Sequence, residues 1–316
     1  MRLFSYADKY GSPRTGVLAD GGLLTGGQLE PYLRVPLRTV SDPTTVILDD
    51  DRRGDVERAA RRARRAGAPL RNPAKRYPLP AVWEPQKIVC IGHNYAGHVL
   101  EGGRAIPTRP VMFAKFANTI IASGESIVQP PGTHALDLEV ELGVVIKDRA
   151  RRVAPEAAMA SVGGYVVVND VSARDWQGNP QALAEGQKGD GQWLRAKGSD
   201  TFLPVGPVLV TPDELDPSEG LRLRSWIIRD GAEIPMQDGS TRDLLVDVPH
   251  LIGLISQEIT LEPGDLIITG TPAGVGVFRD PPVFLRPGDR VRCEIEGIGS
   301  VENPIVSWTE DPREGV

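Results

Sequence analysis

The sequence predicts a mainly β protein of the α+β class, and three features of the chain indicate this class. Glycine and proline are abundant, with 35 and 28 residues, while aromatic residues make up only 5% of the chain. Such a composition is typical of many short strands joined by turns rather than of a helical bundle. Apolar runs of strand length also outnumber the segments with helical periodicity. A chain of 316 residues is long enough for one large domain with a smaller one attached.

Residues 1–80 predict a small N-terminal α+β domain. Turn signals at Gly21 and Gly26, each followed by a second glycine, separate short apolar runs that we interpret as small strands. Residues 49–71 place valine and alanine at helical spacing among many arginines, which predicts a helix with a basic face. Acidic residues share this helix and no aromatic residues interleave, so a solvated surface is favoured over a contact with nucleic acid or membrane.

Residues 81–316 predict a larger, β-rich domain behind a boundary marked by closely spaced prolines. Turns of sequence Pro-Gly-Asp lead into two of its strands, which is typical of a sheet-rich fold. The strands are predicted at residues 87–92, 137–146, 164–170, 221–228, 265–269 and 290–295. The helices are fewer and are predicted at residues 94–101, 155–160 and 245–256.

Charge and cysteine content exclude several classes of partner. The formal net charge of −6 gives no general attraction to nucleic acid or to anionic membranes. No stretch approaches the roughly 18 apolar residues of a membrane span, and the N-terminus lacks the apolar core of a signal peptide. Cys90 and Cys293 lie far apart and match no zinc spacing, so we expect two reduced thiols in a cytoplasmic protein.

The most informative segment is an acidic strand predicted at residues 137–146. Side chains two positions apart share one face of a strand, so Asp137, Glu139 and Glu141 are expected on one face and apolar side chains on the other. Carboxylates within about 7 Å of one another repel, and no lysine or arginine alternates into this strand to compensate them. A bound cation would compensate them. The alternative is a solvent-exposed acidic face.

A second strand ends in Asp170, at the kind of position where functional sites are commonly built. Together with Glu139 and Glu141, this residue would offer a metal ion only oxygen ligands. Oxygen ligands select hard cations, so Mg²⁺ or Mn²⁺ is predicted rather than zinc.

His98 and Glu101 are candidates for an acid–base pair. They are three positions apart, which places them on the same side of a helical turn. A carboxylate next to an imidazole orients the ring and raises its basicity, which suits a general base that activates water. The alternative is an ordinary surface pair without catalytic consequence.

Further motifs stand in a fixed order along the chain. Each is weak alone, but together with the acidic residues they resemble the fumarylacetoacetate hydrolase superfamily over roughly residues 85–305. The resemblance implies a mixed β-roll catalytic domain behind the small N-terminal domain, usually assembled as a homodimer. The motifs are residues 92–98 with Glu101, 113–115, 169–175, 197–202, 263–265 and 269–276.

The resemblance also implies a role for each candidate residue. The acidic residues Glu139, Glu141 and Asp170 would hold the metal ion, and the pair formed by His98 and Glu101 would be the general base. Lys197 would be a third catalytic residue, because its ammonium could stabilise an oxyanion or an enolate. Contacts with the substrate are implied for Lys115, Arg174, Gln177, Gly270 and Thr271.

Two of the implied substrate contacts have structural alternatives. Arg174 could instead be an ion-pair partner of Asp137 or Asp175. The assignment of Lys115 is weakened because Phe116 stands where the family usually has a proline.

Other residues near the motifs also leave two interpretations open. Lys197 could be an ordinary exposed lysine, and Thr271 could belong to a tight turn without substrate contact. His93 could contact the substrate or fill a polar gap. The segment at residues 178–191 is longer than in compact relatives and could be a lid or a surface excursion, and in either case we expect it to affect substrate choice.

The predicted reaction is hydrolysis of a carbon–carbon bond in a small acylpyruvate-like oxo acid, through a metal-bound enolate. The complete acid–base pair favours this reaction, because hydrolysis needs an activated water. Decarboxylation of an oxaloacetate-like acid and isomerisation of a hydroxymuconate-type acid pass through the same enolate and remain alternatives. A non-catalytic metal-binding scaffold is the alternative of another class.

Overall fold

The computed structural model describes residues 1–35, 42–183, 185, 188–189 and 191–313. Within these residues the strands are β1 (Arg2–Ala7), β2 (Pro13–Ala19), β3 (Gly22–Leu24), β4 (Tyr77–Pro78), β5 (Ile88–Gly92), β6 (Val111–Lys115), β7 (Ile120–Ile121), β8 (Ile127–Gln129), β9 (Leu136–Asp137), β10 (Val140–Ile146), β11 (Val162–Asn169), β12 (Ser172–Ala173), β13 (Leu203–Pro204), β14 (Val208–Val210), β15 (Arg222–Arg229), β16 (Ala232–Ser240), β17 (Leu266–Ile268), β18 (Arg290–Ile295) and β19 (Gly299–Ser307). The helices are α1 (Gly26–Leu29), α2 (Pro43–Ile47), α3 (Asp50–Arg65), α4 (Ala96–Glu101), α5 (Pro155–Ala158), α6 (Arg174–Gln177), α7 (Trp193–Gly198) and α8 (Val248–Glu258).

A large sheet forms the centre of the molecule, with strand order β3-β2-β1-β14-β11-β10-β17-β5-β6 and β4 paired to β1. Most neighbouring strands are antiparallel, whereas β17 and β5 run parallel. A second, five-stranded sheet has the order β16-β15-β18-β19-β8. These mixed sheets with short helices confirm the predicted α+β, sheet-rich class.

The two faces of the large sheet are buried against different parts of the chain. On one face, alternate residues of β10 such as Val140, Leu142 and Val144 join a core with apolar side chains of the five-stranded sheet. On the other face, Val145 packs in a second core with side chains of β5, β17 and the helices α2 and α3. The period-2 alternation of β10 therefore places the sheet between two apolar layers.

The basic helix of the N-terminal segment covers the second face. Asp49 caps its N-terminus by accepting a hydrogen bond from the Arg52 amide at 3.1 Å, and arginines in its last turn complement the helix dipole. Val56, Ala59 and Ala63 are buried in the core. The strands β1 to β3 also extend the large sheet. A domain boundary near residue 80 remains a prediction, and these contacts show that the N-terminal segment shares a sheet with the rest of the chain.

Most predicted strands and helices are confirmed, with ends shifted by a few residues. The elements that were not predicted include the strands β6, β16 and β19 and the helix α7. The acidic strand predicted at residues 137–146 is corrected, because it is interrupted between β9 and β10. This interruption shapes the candidate site.

Candidate active site

Three carboxylates converge at the end of β10 and β11. Glu139 lies in the gap between β9 and β10, Glu141 lies on β10, and Asp170 follows β11 directly. Each offers one oxygen, and these oxygens all lie within 4.8 Å of one another. All three residues are buried, so we refer to Glu139, Glu141 and Asp170 as the acidic triad. The structure thus brings together the residues predicted to bind the metal ion.

The gap in the acidic strand has a local cause. The Glu139 amide donates to the side-chain oxygen of Asn169 at 2.9 Å, and the Asp170 amide donates to the Glu139 carbonyl at 2.8 Å. A side chain therefore replaces one rung of the β10–β11 ladder. The chain turns at this point, and Glu139 and Asp170 are brought to the same place.

Asp137 does not belong to the acidic triad, which corrects the expectation that three carboxylates of one strand face the same way. Its carboxylate accepts hydrogen bonds from the amides of Gly276 and Val277 at 2.8 and 3.0 Å. It also accepts one from Arg174 Nε at 2.9 Å. The ion pair between Arg174 and Asp137 is thus one of the structural alternatives that the sequence left open.

Basic side chains from other elements compensate the triad, contrary to the expectation that only a bound cation would. Lys197 Nζ lies 2.5 Å from Glu139 Oε2 and 2.6 Å from Asp170 Oδ2. Arg174 Nη2 lies 2.6 Å from Glu139 Oε1. No lysine or arginine alternates into the acidic strand, and these two cations come instead from α6 and α7.

Lys115 lies behind the triad rather than in contact with solvent. Its side chain is fully buried and its ammonium lies 2.8 Å from Asp170 Oδ1. The ammonium also donates to the carbonyls of Phe202 at 2.7 Å, Val171 at 3.1 Å and Lys197. Burial lowers the pKa of Lys115, and the neighbouring Asp170 opposes this effect. Lys115 therefore has no exposed atom with which to contact a substrate, and the structure gives it a supporting position.

The pKa values of Glu139 and Glu141 are shifted in opposite directions. Burial alone would raise the pKa of Glu139, but Arg174 and Lys197 overcome this effect and lower it well below its usual range. Burial and the nearby Asp170 and Glu139 carboxylates raise the pKa of Glu141 well above its usual range. Among the described residues no ion pair reaches Glu141, and its Oε2 accepts only the Gly270 amide at 2.6 Å.

This environment fits a divalent cation. Glu141 is a buried carboxylate, and the neighbouring charges of Asp170 and Glu139 disfavour its ionised form. A cation between the three carboxylates would remove that penalty. The donor set contains only oxygens, which suits a hard ion.

The predicted acid–base pair is formed. His98 Nδ1 and Glu101 Oε1 are 2.7 Å apart on α4, and both side chains are mostly buried. The second oxygen of Glu101 accepts the Gly274 amide at 2.8 Å. The His98 ring lies 5.8 Å from the ring of Phe278. The imidazole is therefore fixed by a carboxylate that is itself fixed, which distinguishes it from an exposed surface pair.

One loop connects the separate parts of the site. We call residues 269–276 the site loop. Its amides at Gly270, Gly274 and Gly276 donate to Glu141, Glu101 and Asp137 respectively, so three carboxylates are held by one segment.

At two of these loop positions the backbone conformation favours glycine. Gly270 and Gly274 have φ values of +101° and +105°. A Cβ at Gly270 would lie 2.9 Å from the Asn94 Cβ, and one at Gly274 would lie 2.5 Å from the Met236 carbonyl oxygen. The glycines of the loop therefore serve close packing.

A buried glutamine that the sequence analysis missed supports the loop. Gln237 on β16 donates from Nε2 to Thr271 Oγ1 at 2.6 Å and to the Pro272 carbonyl at 2.8 Å. Its Oε1 accepts the Val140 amide and the Ser225 hydroxyl, each at 2.9 Å. Gln237 thus joins the site loop to the acidic strand, between its two glutamates. The missed strand β16 is the reason that no pattern in the sequence pointed to it.

Thr271 has its hydroxyl engaged within the protein. It donates to the Val140 carbonyl at 2.9 Å while it accepts from Gln237. The side chain still lies in the wall of the cavity. Its predicted contact with a substrate oxygen would therefore use a hydroxyl whose orientation is already set.

A cavity of about 150 Å³ is lined by most of the candidate residues, but not by Glu101, Lys115, Asp170 or Gly270. This volume lies below the roughly 300 Å³ at which pockets for drug-sized ligands begin, so a small ligand is indicated. Of the predicted residues, the wall includes His98, Glu139, Glu141, Arg174, Gln177, Lys197 and Thr271. His93, for which two roles were open, also lies in the wall. The wall residues to which the sequence assigned no role are Ile91, Gly92, Gly102, Arg104, Phe113, Asn179, Trp193 and Phe278.

The segment at residues 178–191 is described only in part, since residues 184, 186, 187 and 190 lie outside the described residues. Asn179, near its start, is buried and lines the cavity. This contact agrees with the expectation that the segment affects substrate choice, which remains a prediction.

These features define a candidate acid–base active site beside a potential metal centre with oxygen ligands. A family model described as Fumarylacetoacetate (FAA) hydrolase C-terminal matches residues 87–306, which is more than half of the chain. The chain belongs to the fumarylacetoacetate hydrolase family, and the resemblance seen in its motifs is confirmed.

Curated relatives in this family have a named activity. The chain is 45% identical over 228 residues to "Oxaloacetate tautomerase FAHD2A, mitochondrial" of Bos taurus, covering 72% of this chain and 69% of the relative. It is 42% identical over 247 residues to the protein of the same name from Homo sapiens, covering 78% and 75% respectively.

Solved structures confirm the fold. The structure titled fumarylacetoacetate hydrolase from psychrophilic Exiguobacterium antarcticum has a TM-score of 0.74 and 30% identity, covering 97% of this chain and 99% of that chain. A 5-carboxymethyl-2-hydroxymuconate delta-isomerase from Mycobacterium smegmatis has a TM-score of 0.67 and 31% identity, covering 97% and 100%. None of the helices in the described part of the chain is both long and apolar enough to span a bilayer.

Replacing Lys115 by methionine should destabilise the protein strongly. The substitution leaves Asp170 and three carbonyls buried without their donor, so we expect the free energy of unfolding to fall by about 3–5 kcal/mol. Urea unfolding followed by circular dichroism measures this change. The control is Lys9→Met at an exposed position. A loss in K115M no larger than that of the control would show that the buried ammonium is not required.

Replacing Gln237 by leucine should loosen the site loop. The Val140 amide and the Thr271 hydroxyl would each lose a partner, and a buried polar group without a partner costs about 1–3 kcal/mol. We expect faster backbone amide exchange in residues 139–141 and 269–276, measured by hydrogen–deuterium exchange mass spectrometry. Gln257→Leu, at an exposed glutamine of α8, is the matched control. Unchanged exchange in both segments of Q237L would refute the role of Gln237 as their connection.

Proposed function

We propose that the protein catalyses keto–enol tautomerisation of a small 2-oxo acid, with a Mg²⁺ or Mn²⁺ ion at the acidic triad. The observation that carries this proposal is the position of His98, an imidazole oriented by a carboxylate, in the wall of the same small cavity as Glu139 and Glu141. Tautomerisation moves one proton between a carbon and the neighbouring carbonyl oxygen. It therefore requires one base and a means of stabilising charge on that oxygen.

The metal ion would be held by Glu139, Glu141 and Asp170, whose oxygens converge. When bound, it would polarise the substrate carbonyl as a Lewis acid and make the neighbouring carbon more acidic.

His98 would move the proton. Because its Nδ1–H donates to Glu101, the other ring nitrogen, Nε2, is the atom available as base. Nε2 would take the proton from the carbon next to the carbonyl, and the imidazolium so formed would release that proton to the enolate oxygen. The reverse sequence converts enol to ketone. The substrate loses no atom, and no oxidant is needed.

Lys197 and Arg174 would set the charge of the cavity. Burial would lower the pKa of Lys197, but Asp170 and Glu139 overcome this effect and raise it, so the ammonium stays charged. Its position in the cavity wall lets it offset negative charge that develops on a substrate oxygen. Arg174 donates to Gln177 Oε1 at 3.1 Å, which fixes the amide of Gln177 at the cavity wall for hydrogen bonding to the substrate.

Carbon–carbon hydrolysis, which the sequence predicted, is the alternative on the same residues. It requires space for a larger acyl substrate and for an attacking water, whereas the cavity measures about 150 Å³. The names of two relatives also favour proton transfer, since they describe an oxaloacetate tautomerase and a hydroxymuconate isomerase, whereas the structure from Exiguobacterium antarcticum is titled a hydrolase. Decarboxylation of an oxaloacetate-like acid would need the metal ion but no base. The predicted homodimer and cytoplasmic location belong to this proposal as expectations.

Replacing His98 by alanine should separate these reactions. We expect tautomerisation of oxaloacetate to slow by at least about 10²-fold, the usual scale for loss of a general base. Metal-dependent decarboxylation of the same acid should fall much less. Enol absorbance and carbon dioxide release measure the two reactions at saturating Mg²⁺. The matched control is His250→Ala, because His250 also pairs with a carboxylate three residues away but is exposed.

Two outcomes would contradict the proposal. Full tautomerase activity in H98A would show that His98 is not the base. Hydrolysis of an acylpyruvate by the wild-type protein, without tautomerisation of oxaloacetate, would show that the hydrolase alternative is correct.

A further inference from the structure

The three cationic side chains in the cavity wall differ in their partners. Lys197 and Arg174 are buried and contact carboxylates of the site. Arg104 is exposed, and within the described part of the chain no carboxylate forms an ion pair with it. The only cation of this wall that is not already neutralised therefore lies at the mouth, while the acidic triad lies at the buried end.

The side chain of Arg104 is oriented by a hydrogen bond to His93. It follows the end of α4, and its Nη1 lies 2.8 Å from His93 Nε2. His93 comes directly after β5 and has a φ of +60°, a left-handed conformation that few residues other than glycine adopt. Burial, and then the charge of Arg104, lower the pKa of His93, so the neutral ring accepts the hydrogen bond. One edge of the guanidinium is occupied in this way, and its other N–H groups remain available.

Part of the cavity wall is aromatic. Phe113 and Trp193 meet edge to face with ring centroids 5.3 Å apart, and Phe278 lies beside His98. All three aromatic residues line the cavity. A matching ligand therefore carries oxygen groups for the metal centre, an apolar part for the aromatic wall and an anionic group for Arg104.

We propose that Arg104, held by His93, binds a second carboxylate of the substrate, at the end remote from the reacting carbonyl. The site would then prefer short dicarboxylic 2-oxo acids over monocarboxylic ones. This inference rests on the proposed tautomerase function and names the class of substrate that the site selects. Arginine suits this role, because its planar N–H groups match a carboxylate.

The test compares two substrates that differ only in the remote group. Oxaloacetate carries the second carboxylate, whereas its monomethyl ester at that carboxyl keeps the same reacting atoms without the charge. In Arg104→Gln we expect KM for oxaloacetate to rise at least about 10-fold, the scale of a lost charged hydrogen bond, with kcat nearly unchanged. The constants for the ester should stay the same. His93→Ala should raise KM for oxaloacetate by a smaller factor.

Arg109→Gln is the matched control, because Arg109 is exposed on the same segment but is not part of the cavity wall. An equal effect of R104Q on both substrates, or an equal effect of R109Q on oxaloacetate, would overturn the proposal.

A binding measurement separates this inference from the proposed function. Calorimetric titration of the Mg²⁺-loaded protein gives Kd for oxaloacetate and for the ester independently of kcat. If the wild-type protein tautomerises neither compound, the proposed function fails. The role of Arg104 still stands if R104Q weakens binding of the diacid alone, and it is refuted if the two Kd values change together.

Discussion

The burial of carboxylate charge is the constraint on which the rest of the structure depends. Charges removed from water are strongly disfavoured unless they are paired and hydrogen-bonded. Four carboxylates meet three cations inside the protein, so one negative charge is left over. The carboxylates belong to Asp137, Glu139, Glu141 and Asp170, and the cations to Lys115, Arg174 and Lys197.

The leftover charge falls on Glu141, which has a backbone amide as a partner but no cation among the described residues. A divalent ion would reverse the sign of the cluster and leave one positive charge in excess. An anionic substrate would in turn balance that excess. The charges of the metal ion, the anionic substrate, the carboxylates and the basic side chains would thus balance within one site.

The site loop connects the acidic triad to the acid–base pair through hydrogen bonds. Its amides donate to Glu141 of the acidic triad, to Glu101 of the acid–base pair and to Asp137. The spacing of the base from the triad therefore depends on a single backbone segment, and Gln237 fixes that segment to the acidic strand. Such multiple contacts hold a site at the precision that proton transfer requires.

The sequence predicted those parts of the site that depend on local spacing. His98 and Glu101 lie within one helical turn, and Glu139, Glu141 and Asp170 stand at ends of apolar strands, so their proximity follows from periodicity and motif order. The different role of Asp137 was not predictable, because the strand breaks where a side chain of β11 replaces a backbone partner.

The sequence pattern also did not predict the long-range contacts. Lys115 reaches Asp170 across 55 positions of chain, and Gln237 reaches Val140 across 97. Arg104 stands in a loop without periodicity, and only the folded chain shows that it reaches the cavity wall. The fold class was predictable from composition, whereas these pairings depend on tertiary structure.

The expected binding of a divalent cation by the acidic triad is best tested by anomalous diffraction from crystals grown with Mn²⁺. We expect one strong anomalous peak in contact with Glu139, Glu141 and Asp170, and no such peak after Glu141→Gln. A wild-type crystal saturated with Mn²⁺ that shows no peak between these three carboxylates would show that the triad is not a metal site.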